Sequence, residues 1–248
     1  MPRAEKPDPA RGLFETLLVL DGEPVESEAH LRRLTRSLKI LYGETLPAQA
    51  PDLLRRTCTG IALGRVRLTV APGAERLICE AHAQAIEPSL HLPPWEAGAD
   101  VRCHHLPGGL GDRKWADRSR LSAAGEQPLL LDSDDVLEAG WANVFSARNG
   151  TVFTPPLDGR ILPGITRASV IELAGEEGIE VEERRIGRAE LLDADEVFLT
   201  SSIRGIQPVR SVDGVTIPRG EVAPLLGERL ARRYRTSRTL PAALSSNA

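Results

Sequence analysis

Leu106-Pro-Gly-Gly-Leu-Gly111 is the clearest interruption in the chain, and Asp112-Arg-Lys114 follows it directly. Proline and clustered glycines end regular secondary structure. The stretch is too short to be a free tether, so we interpret it as a packed linker (residues 106–111) between two lobes. The small lobe is predicted over residues 12–105 and the large lobe over residues 112–248. Ligand sites often lie between domains, which puts Lys114 beside the expected site.

Lys114 is unusual because lysine is rare in this chain. Lys6 and Lys39 are the only other lysines, against 28 arginines. Arginine cannot replace lysine where an amine must lose its proton and attack a carbonyl, as in Schiff-base chemistry. We therefore predict that Lys114 is a reactive amine, with an ordinary surface lysine in a loop as the alternative.

Size and charge exclude several classes of protein. The 248 residues are 41% hydrophobic and carry a net charge of −4 without a basic stripe, so no nucleic-acid partner is expected. No apolar run reaches the roughly 18 residues of a membrane span. The charged, proline-rich N-terminus resembles neither a signal peptide nor a transit peptide, which predicts a cytoplasmic protein.

The cysteines and histidines predict no metal site. Cys58, Cys79 and Cys103 are odd in number and widely spaced, which disfavours disulfides and structural zinc. We expect Cys79 and Cys103 to lie in the core. His104 and His105 are neighbours on a predicted strand and point to opposite faces, so they cannot easily hold one ion.

Helix and strand patterns are mixed without a regular β-α-β rhythm, which predicts an α+β fold. Residues 1–10 are expected to be disordered, Ser27 is predicted to cap the first helix, and the tail after the last helix is expected to be loose. Helices are predicted over 28–42, 51–63, 166–177 and 222–234, and strands over 13–20, 65–70, 76–81, 99–105, 128–132, 143–147, 151–154, 179–185, 196–200 and 209–212.

Four features fit one chemistry: Lys114, Glu138, Ile161-Leu-Pro-Gly-Ile-Thr-Arg167 and Phe198-Leu-Thr-Ser-Ser202. The third is the start of a helix, where unpaired N–H groups favour an anion, and the hydroxyls of the fourth can complete a phosphate site. An aldehyde cofactor with a phosphate and a pyridine nitrogen needs a lysine, a carboxylate and such a site. Pyridoxal 5'-phosphate is that cofactor. Taken singly, each feature is more often a surface acid, an ordinary helix cap or a turn.

Further short motifs surround these features. They are Phe14-Glu-Thr, His30-Leu-Arg-Arg-Leu34, Glu138 through Asn143-Val-Phe145, Thr154-Pro-Pro156, Leu162-Pro-Gly-Ile-Thr-Arg167, Ala194-Asp-Glu-Val-Phe198 and Pro208-Val-Arg-Ser-Val-Asp-Gly214. Through these motifs the chain resembles the fold-type IV pyridoxal phosphate enzymes, also called class IV aminotransferases, from Gly12 to about Val215. The resemblance implies a two-lobed fold like that of D-amino acid aminotransferase, with pyridoxal phosphate between the lobes, and a homodimer.

The resemblance also implies roles for the matched residues. Lys114 would carry the cofactor and move protons, Glu138 would pair with the protonated pyridine nitrogen, and Arg33 would bind the phosphate. Further cofactor contacts would come from Gly164, Ile165, Thr166, Ser201 and Ser202, with the substrate carboxylate as the alternative ligand of Ser202. The residues expected to contact the substrate are Arg67, Arg113, Arg118, Ile203 and Arg204.

Three activities compete within this family. Branched-chain aminotransferases carry a tyrosine five residues after the lysine, where this chain has Ser119, whereas 4-amino-4-deoxychorismate lyases more often have an arginine four residues after it, matched by Arg118. The resemblance therefore favours a lyase that forms 4-aminobenzoate and pyruvate for folate synthesis, working with aminodeoxychorismate synthase. A branched-chain, D-amino acid or amine aminotransferase is the alternative. A non-catalytic interaction protein on the same fold is a more distant one.

Overall fold

The computed structural model describes residues 7–122 and 124–236 and contains two β-sheets. The first sheet is antiparallel and has the strand order β2-β1-β3-β4. Helices α1 and α2 lie between β2 and β3 in the chain. The bounds are β1 (Leu13–Leu20), β2 (Glu23–Pro24), α1 (Ser27–Tyr42), α2 (Ala50–Cys58), β3 (Leu63–Pro72) and β4 (Leu77–Ala85).

The first sheet has one apolar and one polar face. Val66 of β3 packs with Leu34 of α1 and Leu54 of α2 in a single buried cluster. Successive residues of a strand point to opposite faces, so Arg65 and Arg67 lie on the face away from the helices. The polar face is thereby left available to form the wall of a cavity.

The second sheet closes on itself. Its order is β10-β9-β8-β11-β12-β5-β6-β7, and β7 also pairs with β8, so the strands from β8 round to β7 form a closed ring, with β13 paired to β12. Closure removes exposed strand edges. The bounds are β5 (Ala99–His105), β6 (Pro128–Asp132), β7 (Asp135–Ala139), β8 (Ala142–Arg148), β9 (Thr151–Thr154), α3 (Ile165–Glu176), β10 (Val181–Glu183), α4 (Arg188–Leu192), β11 (Glu196–Ser201), β12 (Gly205–Val212), β13 (Val215–Thr216) and α5 (Val222–Thr236).

Helices α3 and α5 cover the second sheet. Phe145 of β8 and Phe198 of β11 stack with ring centroids 5.1 Å apart. They form one buried cluster with Val170 of α3 and Leu226 of α5, and Leu18 of β1 joins the same cluster. The two sheets therefore share core packing rather than standing apart, which fixes the cavity between them.

Strand β5 belongs to the second sheet. The small lobe was predicted over 12–105 and the linker over 106–111, but β5 pairs in parallel with β12 and β6 of the second sheet. Parallel partners lie far away in the chain, so the sequence near 99–105 could not reveal them. The connection between the sheets runs through residues 86–98. Leu106 is packed against Leu130 and Leu137.

The segment after β5 returns to the first sheet before β6 begins. The Phe14 backbone N–H donates to the Lys114 carbonyl at 2.9 Å, and the Ala116 N–H donates to the Gly12 carbonyl at 3.0 Å. Leu13 and Trp115 form an isolated antiparallel bridge. These bonds hold Lys114 at the junction of the two sheets.

The α+β prediction is confirmed, with differences at some element ends. Ser27 does not cap α1, because it is the first helical residue and Glu26 precedes it in a left-handed conformation with φ 52°. Helix α2 stops at Cys58 instead of residue 63, and Gly60 follows with φ 82°. Strand β7, which carries Glu138, had not been predicted.

The cysteine prediction was wrong in its details. Cys79 and Cys103 are half-buried, whereas Cys58 is fully buried on α2. Cys79 lies on β4, an edge strand of the first sheet, which explains its partial exposure. Within the described residues there is no group of three or more histidine, cysteine or acidic side chains that could hold a metal ion.

Disorder was predicted at both ends of the chain, and part of these ends belongs to the described residues. Residues 1–6 and the tail beyond residue 236 lie outside the described residues. Pro9–Arg11, predicted to be mostly disordered, instead forms a short 3-10 helix with Asp8 as its N-cap. The Tyr42 hydroxyl donates to the Pro9 carbonyl at 2.6 Å. None of the described helices is long and apolar enough to cross a membrane.

Candidate active site

A cavity of about 690 Å³ lies between the polar face of the first sheet and one end of the second. Its walls come from β1, β3, the segment after β5, the β7–β8 turn, the start of α3 and the β11–β12 turn. Every residue that the sequence nominated lines this one cavity: Arg33, Arg67, Arg113, Lys114, Arg118, Glu138, Gly164, Ile165, Thr166, Ser201, Ser202, Ile203 and Arg204. Their individual roles remain predictions.

Lys114 presents an amine with a depressed pKa to the cavity. Its Nζ lies 5.2 Å from the centroid of the Phe14 ring. Burial, and then repulsion by Arg33, lower the pKa of Lys114 from its usual 10.5 to about 8. At pH 7 about one-tenth of the amine is therefore neutral, and a nucleophile or a proton acceptor requires this neutral form.

Glu138 supplies a buried carboxylate with one unused oxygen. It lies on β7 opposite Asn143 of β8 and is 4% exposed. Its Oε2 accepts from the Leu162 backbone N–H at 3.2 Å, whereas Oε1 has no hydrogen-bond partner among the described residues. Burial raises the pKa of Glu138 from 4.5 to about 7. A cationic N–H donor placed at Oε1 would compensate for this burial.

The start of α3 can serve as an anion-binding site. Gly164 is the N-cap of α3, and no side chain caps its first N–H groups. Thr200 of β11 lines the same cavity, and its buried hydroxyl has no hydrogen-bond partner within the described part of the chain. Free N–H groups, the positive end of a helix dipole and hydroxyl groups favour a phosphate or carboxylate.

Gly164→Ala is predicted to destabilise the protein by about 1–3 kcal/mol. A Cβ at this position would lie 2.0 Å from Oδ1 of Asn143, whose amide N–H donates to the Leu162 carbonyl at 2.9 Å. The clash would displace this hydrogen bond and the neighbouring Glu138 contact. Urea unfolding of the variant would measure the loss. In contrast, Gly175→Ala on α3 should be neutral or stabilising, because no described residue other than its own helix backbone and chain neighbours comes within 4 Å of its added Cβ. Equal stabilities for the two variants would contradict the clash.

Glu15 and His30 are functional candidates that sequence reasoning did not assign. Glu15 Oε1 accepts from Arg33 Nε at 2.8 Å and Oε2 accepts from Arg33 Nη2 at 2.5 Å, while Arg33 Nη1 donates to the Pro163 carbonyl at 2.7 Å. Burial would raise the pKa of Glu15, but Arg33 and His30 outweigh it and hold that pKa at about 2. The sequence did contain one indication of a role for Glu15, because it is a charged residue on the buried face of a strand, and such residues rarely occur unpaired.

Several arginines line the same cavity as Glu138 and the start of α3. The Arg67 guanidinium stacks on the Phe14 ring at 3.8 Å, and Arg118 donates to the Gly140 carbonyl. Arg65 and Arg204 line the same cavity. Burial lowers the pKa of Arg67 and Arg118, and repulsion from Arg65 adds to the effect at Arg67. Among the described residues none of these four arginines has an ion pair, so their charge is available to an anionic ligand.

Known proteins share the sequence pattern and the fold. The family model for amino-transferase class IV matches residues 12–212. The branched-chain-amino-acid aminotransferase of Escherichia coli (strain K12) is 44% identical over 101 residues, which are 40% of this chain and 33% of that protein. The match therefore spans about a third of the length of this curated relative.

Solved structures match over most of the chain. A hypothetical aminotransferase from Mycobacterium tuberculosis in its PLP-bound form has a TM-score of 0.79 and 22% identity, and 96% of each chain is covered. A protein from Legionella pneumophila, described as a candidate 4-amino-4-deoxychorismate lyase, has a TM-score of 0.73 and 23% identity, with 90% of this chain and 91% of that chain covered. At these identities the likeness establishes the fold.

Proposed function

Because the chain belongs to the class IV aminotransferase family, we propose that it is a pyridoxal phosphate enzyme that converts 4-amino-4-deoxychorismate into 4-aminobenzoate and pyruvate. The choice of substrate rests on one observation, the arginines that line the cavity. 4-Amino-4-deoxychorismate has two carboxylates, and Arg65, Arg67 and Arg118, which make no ion pair with any described residue, line the cavity that contains Lys114. Guanidinium groups bind carboxylates through charge-assisted, bidentate hydrogen bonds.

The cavity fits pyridoxal phosphate on three independent features. Lys114 would hold the cofactor covalently. Glu138 Oε1, which has no hydrogen-bond partner in the described part of the chain, would pair with the ring nitrogen. The start of α3, where no described side chain acts as a cap, would receive the phosphate together with Arg33. When bound, pyridoxal phosphate supplies an aldehyde that condenses with amines and a ring that accepts electrons from the substrate.

The protein's own groups then have defined tasks. Once the substrate amine has taken its place on the cofactor, the released Lys114 Nζ, in its neutral form, would remove the proton from the substrate carbon that bears the amine. The ether bond to the enolpyruvyl group would break, and Lys114 Nζ would return a proton to the departing group, which leaves as pyruvate. Glu138 holds a proton at the ring nitrogen. Positioned proton transfers of this kind contribute about 10²–10⁴-fold to a rate.

An aminotransferase is the second candidate function. The 44% identity to the E. coli branched-chain enzyme over 101 residues favours it, and the same Lys114 and Glu138 would serve. A branched-chain substrate needs an apolar pocket, however, and the arginines argue against one. A non-catalytic protein on this fold is least supported, because every position with an expected catalytic role is filled. By family resemblance we also propose a homodimer that works with aminodeoxychorismate synthase.

Direct assay of the lyase reaction tests the proposal. The PLP-loaded protein would receive 4-amino-4-deoxychorismate, made in situ from chorismate and glutamine by a synthase, and 4-aminobenzoate would be followed by its fluorescence. Rapid formation that depends on Lys114 would support the lyase. No product from a yellow, cofactor-bearing protein would reject it in favour of an aminotransferase, to be assayed with branched-chain and D-amino acid donors.

Arg67→Gln and Arg118→Gln are each predicted to raise KM for the dicarboxylate substrate by about 10- to 100-fold, because each removes a charge-assisted hydrogen bond worth about 1.5–3 kcal/mol. Steady-state kinetics on the lyase reaction would measure the change. Arg36→Gln, an exposed arginine on α1 that does not line the cavity, is the matched control and should leave KM unchanged. The same KM in the wild type and all three variants would show that Arg67 and Arg118 do not bind the substrate.

A further inference from the structure

Glu15, His30 and Ser202 form a hydrogen-bonded row that runs from the core to the cavity. His30 Nδ1 lies 2.8 Å from Glu15 Oε2, and His30 Nε2 lies 3.3 Å from Ser202 Oγ. Glu15 and His30 are each 1% exposed, whereas Ser202 lies in the β11–β12 turn and lines the cavity. The imidazole therefore connects a buried carboxylate to a hydroxyl at the ligand surface.

The Glu15 end of this row fixes one proton on the imidazole. Glu15 receives donors from Arg33 on both carboxylate oxygens and remains ionised down to a pKa of about 2. A carboxylate can only accept hydrogen bonds. His30 Nδ1 must therefore carry a proton and donate to Glu15 Oε2 in either charge state of the imidazole. Only Nε2, which faces Ser202, can gain or lose a proton.

The charge of His30 then decides where the Ser202 hydroxyl points. A neutral imidazole has a bare Nε2 that accepts, so the Ser202 O–H is directed at His30 and turned away from the ligand. A protonated imidazole donates from Nε2 to the Ser202 oxygen, which leaves the Ser202 O–H free to donate into the cavity. A bound anion accepts hydrogen bonds and therefore needs the second arrangement.

We propose that His30 is a positioning residue for the anion that binds at Ser202, and that binding of this anion takes up a proton at His30. The inference rests on the proposed function, in which the phosphate of pyridoxal phosphate binds at the start of α3 with Arg33, in the same cavity that Ser202 lines. The new element is that phosphate binding is coupled to protonation of His30, a residue that touches neither cofactor nor substrate.

The charged groups around His30 are consistent with this linkage. Glu15 faces it from β1, Arg33 lies one turn further along α1, and Lys114 and Arg204 line the adjoining cavity. Glu15 and Arg33 offset each other's charge. A protonated His30 adds the positive charge that a phosphate, with a charge of about −1.5 to −2 near pH 7, favours.

Titration calorimetry with pyridoxamine 5'-phosphate tests the proposal without measuring activity. This probe carries the ring and the phosphate but no aldehyde, so it cannot react with Lys114. Binding to the cofactor-free, full-length protein would be measured across a pH series in buffers of different ionisation enthalpy, which yields the protons taken up. As the pH rises, the affinity of the wild type should fall by up to about tenfold more per pH unit than the affinity of a variant without His30.

Matched variants separate His30 from other titrating groups, including the phosphate itself. When it binds the probe, Ser202→Ala should take up fewer protons than the wild type. The His30→Gln variant should lose the part of the proton uptake that His30 provides, because its amide can donate to Ser202 but does not titrate. Ser201→Ala is the control, because Ser201 Oγ accepts from the Arg204 backbone N–H at 3.4 Å and is not part of the row. It should keep the wild-type proton uptake even if it binds the probe less tightly.

The possible outcomes distinguish the two proposals. Equal proton uptake by the wild type and Ser202→Ala would overturn the role of His30 while leaving the cofactor assignment intact. Failure of the wild type to bind pyridoxamine 5'-phosphate would overturn the cofactor assignment and the His30 inference together. Should His30→Gln not fold, Ser202→Ala still decides the matter, since it only removes an oxygen at the cavity surface.

Discussion

Replacing Lys114 with alanine should abolish covalent cofactor attachment and lower turnover by at least about 1,000-fold. Lys114 is the only lysine among the described residues that line the cavity, and the depressed pKa of about 8 suits it both to attack an aldehyde and to accept a proton. The two losses coincide because one nitrogen performs both tasks. Borohydride reduction of the PLP-loaded protein, followed by intact mass measurement, would detect attachment, and the fluorescence assay would detect turnover.

Lys39→Ala provides the control for the loss of a lysine. Lys39 lies on α1 outside the cavity, where its Nζ donates to the Gly43 carbonyl at 3.2 Å. This variant should keep the covalent mass increase, the visible absorbance and the activity. A Lys114→Ala protein that retains the reduced adduct, the visible band and full turnover would refute the assignment of Lys114.

Replacing Glu138 with glutamine should leave pyridoxal phosphate bound but reduce turnover by about 100-fold or more. Glutamine has nearly the same shape and can still accept from the Leu162 N–H, which Glu138 bonds at 3.2 Å. It carries no negative charge, so it cannot hold a proton at the ring nitrogen, and the ring becomes a weaker electron acceptor. Absorbance spectra would show retained cofactor, and single-turnover kinetics would show the slower chemical step.

Glu196→Gln is the matched control for the loss of a buried acid. Glu196 is also a buried carboxylate whose pKa is raised by burial, but it accepts from the Val222 and Ala223 N–H groups at the start of α5. Its replacement should affect stability without slowing the chemistry of the folded enzyme. Unchanged turnover in Glu138→Gln would remove Glu138 from the mechanism.

The same Glu138 substitution should change how stability depends on pH. The folded protein raises the pKa of Glu138 from 4.5 to about 7, so folding favours the protonated carboxyl. The contribution of Glu138 to the stability of the cofactor-free protein is therefore fully present below about pH 4.5 and is lost as the pH rises through 7. In urea unfolding, the stability of the wild type relative to Glu138→Gln should fall across this interval. A constant difference would contradict the raised pKa.

Much of the candidate site could be predicted because its residues sit in short local motifs. Lys114 was found from the rarity of lysine, and Ile165 and Thr166 from the pattern of a helix start. All the nominated residues do line one cavity. Arg65 was missed, although it alternates with Arg67 along β3 and shares its face. Glu15 was missed as well, because its partner His30 is on a helix and nothing near Glu15 in the chain indicates the pair.

The sequence by itself determined the α+β character, most helices and strands, and the chemical groups available, because these depend on side-chain periodicity and residue type within a few turns or strand lengths. Tertiary structure alone decided that β5 joins the second sheet, that this sheet closes through the β7–β8 pair, and that one oxygen of Glu138 is buried without a hydrogen-bond partner among the residues described. Periodicity reveals which face of an element is buried but not what covers it. Strand pairing, desolvation and the shifted pKa values of Lys114 and Glu138 arise from contacts between distant parts of the chain.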